Sequence, residues 1–217
     1  MTCSVMVVDD HAIVLHGLCL LINGEPGLNV SLQAESAEQA LELLKANPRP
    51  DLVVTDLSLP GISGLELTKQ LIALYPSLPI LVLSMHDELI HGERAFRAGA
   101  RGYLTKQEAT DKVVIAIRRI LDGKPYMSER MESVLHHTLR VSPKSKVPSA
   151  ISKLTDREFE IFRMIGMGLG SAEIAQKLER SVKTIEAHRA NMKKKLGMGS
   201  MNALNCFAVS WADRERV

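Results

Sequence analysis

The sequence is poor in the residues that build disulfide frameworks, thiolate metal sites and aromatic ligand pockets. Its 217 residues include three cysteines and one tryptophan, and aromatic residues make up 4% of the chain. Cys3, Cys19 and Cys206 stand far apart with no C-x-x-C pair, which favours neither disulfides nor a zinc site. No apolar run approaches the roughly 20 residues of a membrane span, and the first Lys or Arg is Lys45, unlike a secretory signal. We therefore expect a cytoplasmic protein without a membrane partner.

The net charge of +2 conceals two halves of opposite charge. Residues 1–124 hold 11 Lys/Arg and 15 Asp/Glu, a balance of −4, whereas residues 125–217 hold 16 and 10, a balance of +6. A basic half is typical of proteins that bind a polyanion, most often nucleic acid. A solvated basic surface has the same balance, so charge alone leaves both interpretations open.

Short β-type runs alternate with helical patterns in the first half. Strands are predicted at 4–8, 28–34, 52–56, 80–84 and 102–105, and helices near 12–23, 37–46, 64–75, 87–98 and 111–122. The third and fourth strands are continuous Val, Leu and Ile, as in a parallel sheet that is buried on both faces. Five β-α repeats predict an α/β domain with a flavodoxin-like parallel sheet of strand order 2-1-3-4-5.

A polar segment separates this pattern from a purely helical one. A helix is predicted near 128–139, and residues 142–149, which hold two prolines, are typical of a linker. Further helices are predicted at about 155–167, 172–179, 182–196 and 200–213. We therefore predict an N-terminal domain over 1–124, a linker over 125–149 and an all-α domain of four helices over 150–217.

Local signals mark the ends of these last helices. Thr155 and Glu158 have the spacing of a capping box, and Ser171 and Ser181 are predicted N-caps. Gly197 suits the position just beyond a helix C-terminus, where a left-handed conformation is common.

Four predicted strands end at residues that phosphoryl chemistry uses, namely Asp9-Asp10, Asp56, Ser84 and Lys106. Ligands of an open α/β sheet bind beyond the carboxyl ends of its strands, so these side chains should converge on one cleft. Clustered carboxylates repel each other unless a cation compensates them, and Mg²⁺ prefers oxygen ligands. The predicted Mg²⁺ ligands are Asp9, Asp10, Asp56 and the backbone carbonyl of Ser58.

The same residues suggest a reaction. Asp56 ends a central strand and precedes a loop, which makes it the best candidate for a nucleophile that accepts a phosphoryl group. Lys106 would pair with phosphoryl oxygens as a point charge, and the Ser84 hydroxyl would donate to another oxygen. Each residue alone has a simpler explanation as a turn, a cap or a solvated side chain. Their joint occurrence at four strand ends favours the functional interpretation.

Residues 1–122 resemble the receiver domain of two-component response regulators. The resemblance rests on Asp9-Asp10, Asp56 followed by Pro60-Gly61, Ser84, Tyr103 and Lys106. It implies that Asp56 accepts phosphate from a sensor histidine kinase, with Mg²⁺ at the acidic pair, and that the domain catalyses its own phosphotransfer and dephosphorylation. It also implies a switch in which Ser84 moves toward the phosphoryl group and Tyr103 changes its burial. From the residues alone, Tyr103 is an ordinary strand aromatic.

Two short helices joined by a tight turn at 179–181 have the pattern of a helix-turn-helix, whose second helix enters the major groove. Ile185, Met192 and Leu196 fall on one face of this helix and should pack inward. Short side chains such as Ala187 let the backbone approach base edges, and Glu186 could accept from a cytosine amine. The predicted DNA-contacting residues are Ser171, Ser181, Lys183, Thr184, Glu186, Ala187, His188, Arg189, Ala190, Asn191, Lys193 and Lys194.

Within that set, Lys183, Thr184, His188 and Arg189 are expected to favour phosphates. Two simpler interpretations stay open. The lysines near the helix C-terminus also complement its negative end, and His188 could equally be a packing residue.

Residues 150–213 resemble the LuxR-type four-helix DNA-binding domain. The matching segments are Leu154-Thr-Asp-Arg-Glu158, Glu173-Ile-Ala175, Lys183-Thr-Ile185, His188 and Lys195-Leu196. Joined to a receiver, this domain is similar to the NarL/FixJ class of response regulators. The resemblance implies a regulator rather than an enzyme, which binds double-stranded promoter DNA as a homodimer when active. RNA polymerase is a further candidate partner.

Three other functions would use some of the same features. An aspartate-dependent phosphatase would share the acidic cleft, but the position two residues after Asp56 is Ser58 rather than a second general acid. A small-molecule sensor would need an aromatic-lined pocket, and residues 1–124 contain no Trp. A regulator whose cleft is intact but idle would have the same sequence, so that alternative stays open.

Overall fold

The computed structural model describes residues 2–85, 88–128, 131–132, 150–178 and 180–215. The chain divides into two compact units, Met1–Arg140 and Val141–Val217. In the described ranges, no helix is both long and apolar enough to cross a bilayer.

The first unit is built on five parallel strands. They are β1 (Cys3–Val8), β2 (Leu28–Ala34), β3 (Leu52–Asp56), β4 (Ile80–Ser84) and β5 (Gly102–Thr105). Their order is β2-β1-β3-β4-β5, which confirms the predicted topology. Every residue of β3 and β4 is buried, because helices cover both faces of the sheet.

Five helices connect these strands. They are α1 (Ala12–Asn23), α2 (Ala37–Ala46), α3 (Gly64–Leu74), α4 (Glu88–Ala98) and α5 (Ala109–Leu121). One core cluster lies between the sheet and α2, α3 and α4, and a second lies between the sheet and α1 and α5. The Ser36 and Ser63 hydroxyls cap α2 and α3 by accepting from the third backbone amide beyond each serine. The predicted bounds agree with these helices to within two residues.

The chain after α5 continues along the edge of this unit. The Tyr103 amide donates to the Tyr126 carbonyl and the Tyr126 amide donates to the Arg101 carbonyl, both at 3.0 Å, so Tyr126 pairs beside β5. The Ser128 amide then donates to the Glu88 carboxylate on α4 at 2.8 Å. Apart from 128, 131 and 132, the helix predicted near 128–139 and the linker segment 142–149 lie outside the described residues.

The second unit is helical. A short 3₁₀ turn (Ala150–Lys153) precedes α6 (Asp156–Gly166), α7 (Ser171–Lys177), α8 (Val182–Lys195) and α9 (Met201–Glu215). Its core includes the fully buried Phe162, whose ring centroid lies 5.6 Å from that of Trp211. The four predicted helices are confirmed.

The helix ends follow local chemistry, with one correction. Thr155 forms the predicted capping box with Glu158, and the Ser181 hydroxyl caps α8 by accepting from the Thr184 amide at 3.1 Å. Gly197 has φ +67°, as the left-handed position after α8 requires. Ser171 is not the predicted cap, because α7 begins with it. The cap is Gly170, whose amide donates to the Glu173 carboxylate at 2.7 Å.

Candidate functional site

The carboxyl ends of β1, β3 and β5 bring Asp9, Asp56 and Lys106 together, as the spacing predicted. The Lys106 ammonium Nζ lies 2.7 Å from Asp9 Oδ2 and 2.9 Å from Asp56 Oδ2. All three side chains are buried, with exposures of 1% for Asp9, 3% for Asp56 and 8% for Lys106. Ser84 is also fully buried, and its carbonyl accepts from the Lys106 amide at 2.8 Å. The neighbouring strands β1 and β3 therefore supply a carboxylate pair, and the residue that follows β5 supplies the ammonium group.

Burial and charge compete in this cleft. Burial raises the pKa of Asp56 above its ordinary value, and it outweighs the opposing effects of the Lys106 charge and of the Ser58 backbone hydrogen bond. Burial alone would lower the pKa of Lys106, but the Asp56 and Asp9 carboxylates outweigh it, so this pKa is raised. The lysine thus stays charged, and its one positive charge balances only part of the negative charge of the two carboxylates.

Three carboxylates and one imidazole are also grouped closely enough to hold a metal ion. One ligand atom from each of Asp9, Asp10, His11 and Asp56 lies within 4.8 Å of the others. Carboxylate oxygens in this arrangement suit Mg²⁺, which prefers hard oxygen ligands. Ser58, the source of the predicted carbonyl ligand, is exposed at the start of the loop after β3.

His11 is the residue of this cleft that sequence reasoning missed. Its Nδ1 lies 2.8 Å from Asp10 Oδ1, and its backbone amide donates to Asp9 Oδ1 at 2.9 Å. The side chain is 64% exposed, so it forms the rim of the cleft rather than its floor. Its place directly after the acidic pair was the available signal.

Tyr103, the residue that the resemblance assigns to a switch, lies within β5. Its side chain is fully buried in the cluster that includes α3 and α4. In this structure it therefore occupies a core position.

The predicted DNA-contacting residues fall into two groups on α7 and α8. Ile185 and Met192 are fully buried, as expected for the inner face of α8, and Leu196 is half-buried. The exposed members are Ser181, Lys183, Thr184, Glu186, Ala187, Ala190, Asn191 and Lys194. The half-buried members are Ser171, His188, Arg189 and Lys193.

Two basic side chains on α8 contact other helices of the unit. Arg189 was expected to point outward, but its Nη1 and Nη2 lie 2.7 Å from Ser171 Oγ and 2.8 Å from Asn205 Oδ1. Lys195 Nζ lies 2.6 Å from Glu158 Oε2, so it does more than complement the helix C-terminus. These contacts join residues from different helices, and spacing along one helix carries no signal for them.

Comparison with known proteins assigns both units to protein families. Residues 5–118 match the response regulator receiver domain, and residues 152–208 match the bacterial regulatory proteins of the luxR family. The chain is 31% identical to the oxygen regulatory protein NreC of Staphylococcus epidermidis over 211 residues, which are 95% of this chain and 96% of NreC. It is 32% identical to NreC of Staphylococcus carnosus over 212 residues, with the same shares covered.

Solved structures extend the likeness to both units. The RcsB response regulator of Salmonella typhimurium has a TM-score of 0.69 at 28% identity, covering 96% of this chain and 98% of RcsB. RcsB bound to the promoter rprA in the presence of the phosphomimetic BeF₃⁻ has a TM-score of 0.65 at 27% identity, and the match covers 96% of this chain and 100% of that RcsB chain. A LuxR-family response regulator from Aurantimonas has a TM-score of 0.59 at 37% identity, and the match covers 64% of this chain and 99% of the Aurantimonas chain. This chain belongs to the two-component response regulators that join a receiver domain to a LuxR-type DNA-binding domain.

Proposed function

We propose that this chain is a sequence-specific transcription factor that is switched by phosphorylation of Asp56. The receiver spans 1–124, the linker 125–149 and the DNA-binding domain 150–217. The observation that carries the proposal is the buried Asp56 carboxylate, which lies 2.9 Å from the Lys106 ammonium and beside a further acidic pair. A structural ion pair alone would not need the additional carboxylates.

The proposed reaction is transfer from a phosphohistidine of a sensor kinase. An Asp56 carboxylate oxygen forms a bond to phosphorus as the phosphorus–nitrogen bond breaks, which leaves an acyl phosphate on the receiver. Lys106 pairs with a phosphoryl oxygen, and the Ser84 hydroxyl donates to another. Asp9, Asp10, Asp56 and the Ser58 carbonyl would hold Mg²⁺, whose charge reduces the repulsion between these carboxylates and the phosphoryl oxygens.

The proposed switch runs from the cleft to the outer edge of the sheet. Ser84 moves toward the phosphoryl group, and the change reaches β5, because the Lys106 amide is bonded to the Ser84 carbonyl at 2.8 Å. Tyr103 on β5 changes its burial in response. Its backbone amide donates to the Tyr126 carbonyl at 3.0 Å, so the change has a direct route to the chain that leaves the receiver.

The proposed output is binding of promoter DNA by α8 in the major groove. The exposed small side chains Ala187 and Ala190 permit close approach to base edges, with Lys183 and Lys194 placed for phosphates. The RcsB structure with promoter DNA and BeF₃⁻ supports this proposal, and RcsB dimers on DNA support an active homodimer. RNA polymerase is the proposed partner at the promoter.

The test compares DNA affinity and oligomeric mass with and without BeF₃⁻ and Mg²⁺. We expect the wild-type chain to gain roughly 5- to 150-fold in affinity, the usual range of coupling between two sites. Asp56→Ala should gain nothing, and Asp111→Asn, which removes an exposed carboxylate of α5, should gain as the wild type does. An equal gain in Asp56→Ala would refute the phosphorylation switch, and no gain in the wild type would favour a regulator with an idle cleft.

A further inference from the structure

A chain of polar contacts links three helices of the DNA-binding domain. Arg189 on α8 approaches Ser171 on α7 at 2.7 Å and Asn205 on α9 at 2.8 Å. The Ser171 hydroxyl in turn contacts Glu186 Oε1, one turn before Arg189 on α8. A guanidinium only donates and a hydroxyl carries one proton, so Arg189 donates to Ser171 and Ser171 donates to Glu186. The order of donors and acceptors in this series of hydrogen bonds is therefore fixed by the side-chain chemistry.

This series of hydrogen bonds fixes the Glu186 side chain but leaves it accessible to solvent. One carboxylate oxygen accepts from Ser171, while the side chain remains exposed beside Ala187 and Ala190. A carboxylate is repelled by DNA phosphates, so its presence on a surface that approaches DNA favours a specific use. Glutamate accepts from the cytosine N4 amine, whereas guanine and thymine present acceptors in the major groove and adenine places an N7 acceptor beside its N6 donor.

We propose that Arg189, Ser171 and Asn205 are positioning residues that orient Glu186 to accept from the N4 amine of a cytosine. The inference rests on the proposed entry of α8 into the major groove and names the base that the domain reads there. Arg189 then does not neutralise a phosphate, although its charge and its place on α8 suggested that role. Fixing the carboxylate before binding removes the ordering cost that a mobile Glu side chain would add to base recognition.

The experiment uses the full chain with BeF₃⁻ and Mg²⁺. Base preference is measured by selection from a randomised duplex pool, and the number of phosphate contacts is measured from the slope of log affinity against log salt. The wild type should prefer cytosine by about tenfold at one position in each half-site. Glu186→Ala should abolish that preference, and Glu186→Gln should shift it to adenine, because an amide pairs with adenine in the major groove.

Positioning and phosphate contact give opposite results. Arg189→Met should lose most of the cytosine preference with an unchanged salt slope. Lys194→Met, an equal loss of charge on the same helix, should reduce the slope by about one and keep the preference. A reduced slope with an intact preference in Arg189→Met would overturn the inference.

Asn205→Ala keeps the test decisive if Arg189→Met does not fold, because it removes one acceptor without changing the charge. We expect a severalfold loss of cytosine preference and an unchanged salt slope. If the wild type prefers cytosine and Asn205→Ala keeps that preference, the positioning role is refuted. The proposed function would still stand. A wild-type chain that binds no duplex under any condition would refute the proposed function itself.

Discussion

At the residue scale, the described part of the cleft places three carboxylates, those of Asp9, Asp10 and Asp56, around the Lys106 ammonium group. Asp9 and Asp56 share the Lys106 ammonium, and Asp10 adds a third carboxylate, whose Oδ1 lies 2.8 Å from Nδ1 of the His11 imidazole. Burial is the main cause of the raised pKa of Asp56 and outweighs the attraction of Lys106, and the nearby Asp9 charge raises this pKa further. A bound cation should therefore stabilise the folded receiver.

Mg²⁺ should raise the stability of the receiver through Asp10. At a Mg²⁺ concentration about 100-fold above its dissociation constant, we expect a gain of about 2.7 kcal/mol in the free energy of unfolding. Asp10→Ala should lose most of the gain because it removes both carboxylate oxygens, and Asp111→Ala on α5 should retain it. Thermal melting followed by circular dichroism measures the shift. An equal Mg²⁺ effect in Asp10→Ala would exclude this residue as a ligand.

Glu158 should make the stability of the DNA-binding domain sensitive to acid. Burial would raise its pKa, but hydrogen bonds from Lys195 and Thr155 outweigh burial and hold this pKa below the ordinary value of 4.5. A lowered pKa adds stability that is fully present above the ordinary value and is lost as pH falls through the lowered one. Denaturation should therefore require less urea as pH falls from the ordinary value of 4.5 through the lowered pKa.

The single tryptophan reports this transition. Trp211 packs against Phe159 with ring centroids 5.4 Å apart, so its fluorescence follows the second unit. Glu158→Gln should cost about 1–2 kcal/mol at neutral pH, as loss of a hydrogen-bonded charge does, and should flatten the pH dependence. Asp213→Asn, which changes an exposed carboxylate of α9, should behave as the wild type. An unaltered pH profile in Glu158→Gln would contradict the prediction.

At the element scale, the start of α3 is pressed against the loop that follows Asp56. A Cβ added at Gly64 would lie 1.8 Å from the Asp56 carbonyl oxygen, and the Gly64 amide donates to the Leu57 carbonyl at 3.0 Å. Only glycine permits this approach without a shift of the backbone that carries Asp56. The helix therefore helps to set the position of the proposed phosphoacceptor.

Gly64→Ala should damage both stability and phosphorylation. We expect a loss of about 3 kcal/mol or more, because the obstacle is backbone rather than a flexible side chain. Gly17→Ala is the matched control, since a Cβ at Gly17 meets nothing within 4 Å. In the interior of α1 it should gain about 0.5–1 kcal/mol. Urea denaturation measures the first effect and the rate of acetyl-phosphate labelling the second; wild-type values for Gly64→Ala would refute the close-approach argument.

Element ends show how far local sequence can be used. Thr155 and Ser181 were predicted as caps and are caps, because capping involves residues three positions apart. Ser171 was predicted as a cap and is not. The Glu173 carboxylate already satisfies the Gly170 amide, and the Ser171 hydroxyl instead contacts Glu186 on another helix.

At the scale of the whole molecule, charge separates the two functions. The acidic half holds the carboxylate cleft and the half with a balance of +6 holds α8. Because cation–phosphate contacts release counterions, DNA affinity should depend steeply on salt.

We expect the affinity of the full chain with BeF₃⁻ to fall by about 10³-fold between roughly 50 and 200 mM salt if about six phosphates are contacted. Fluorescence anisotropy with a labelled duplex measures the slope. Lys69→Met on α3 removes one positive charge from the acidic half, as Lys194→Met does from the basic half. Because α3 lies in the receiver, this change should leave the salt slope unchanged. A slope near zero would argue that the basic balance is only a solvated surface.

The sequence by itself determined the strand order, the alternation of strands and helices, the caps Thr155 and Ser181, and the residues at the strand ends. The strand order follows from the five β-α repeats, and the other features follow from periodicity and from residues within a few positions of each other. Only the tertiary structure decided that Asp9 and Asp56 share Lys106, that His11 joins the acidic cleft, and that Arg189 turns toward Ser171 and Asn205. Such pairings depend on how separate elements pack, and a side chain with several available partners is committed to one only by the geometry that packing imposes.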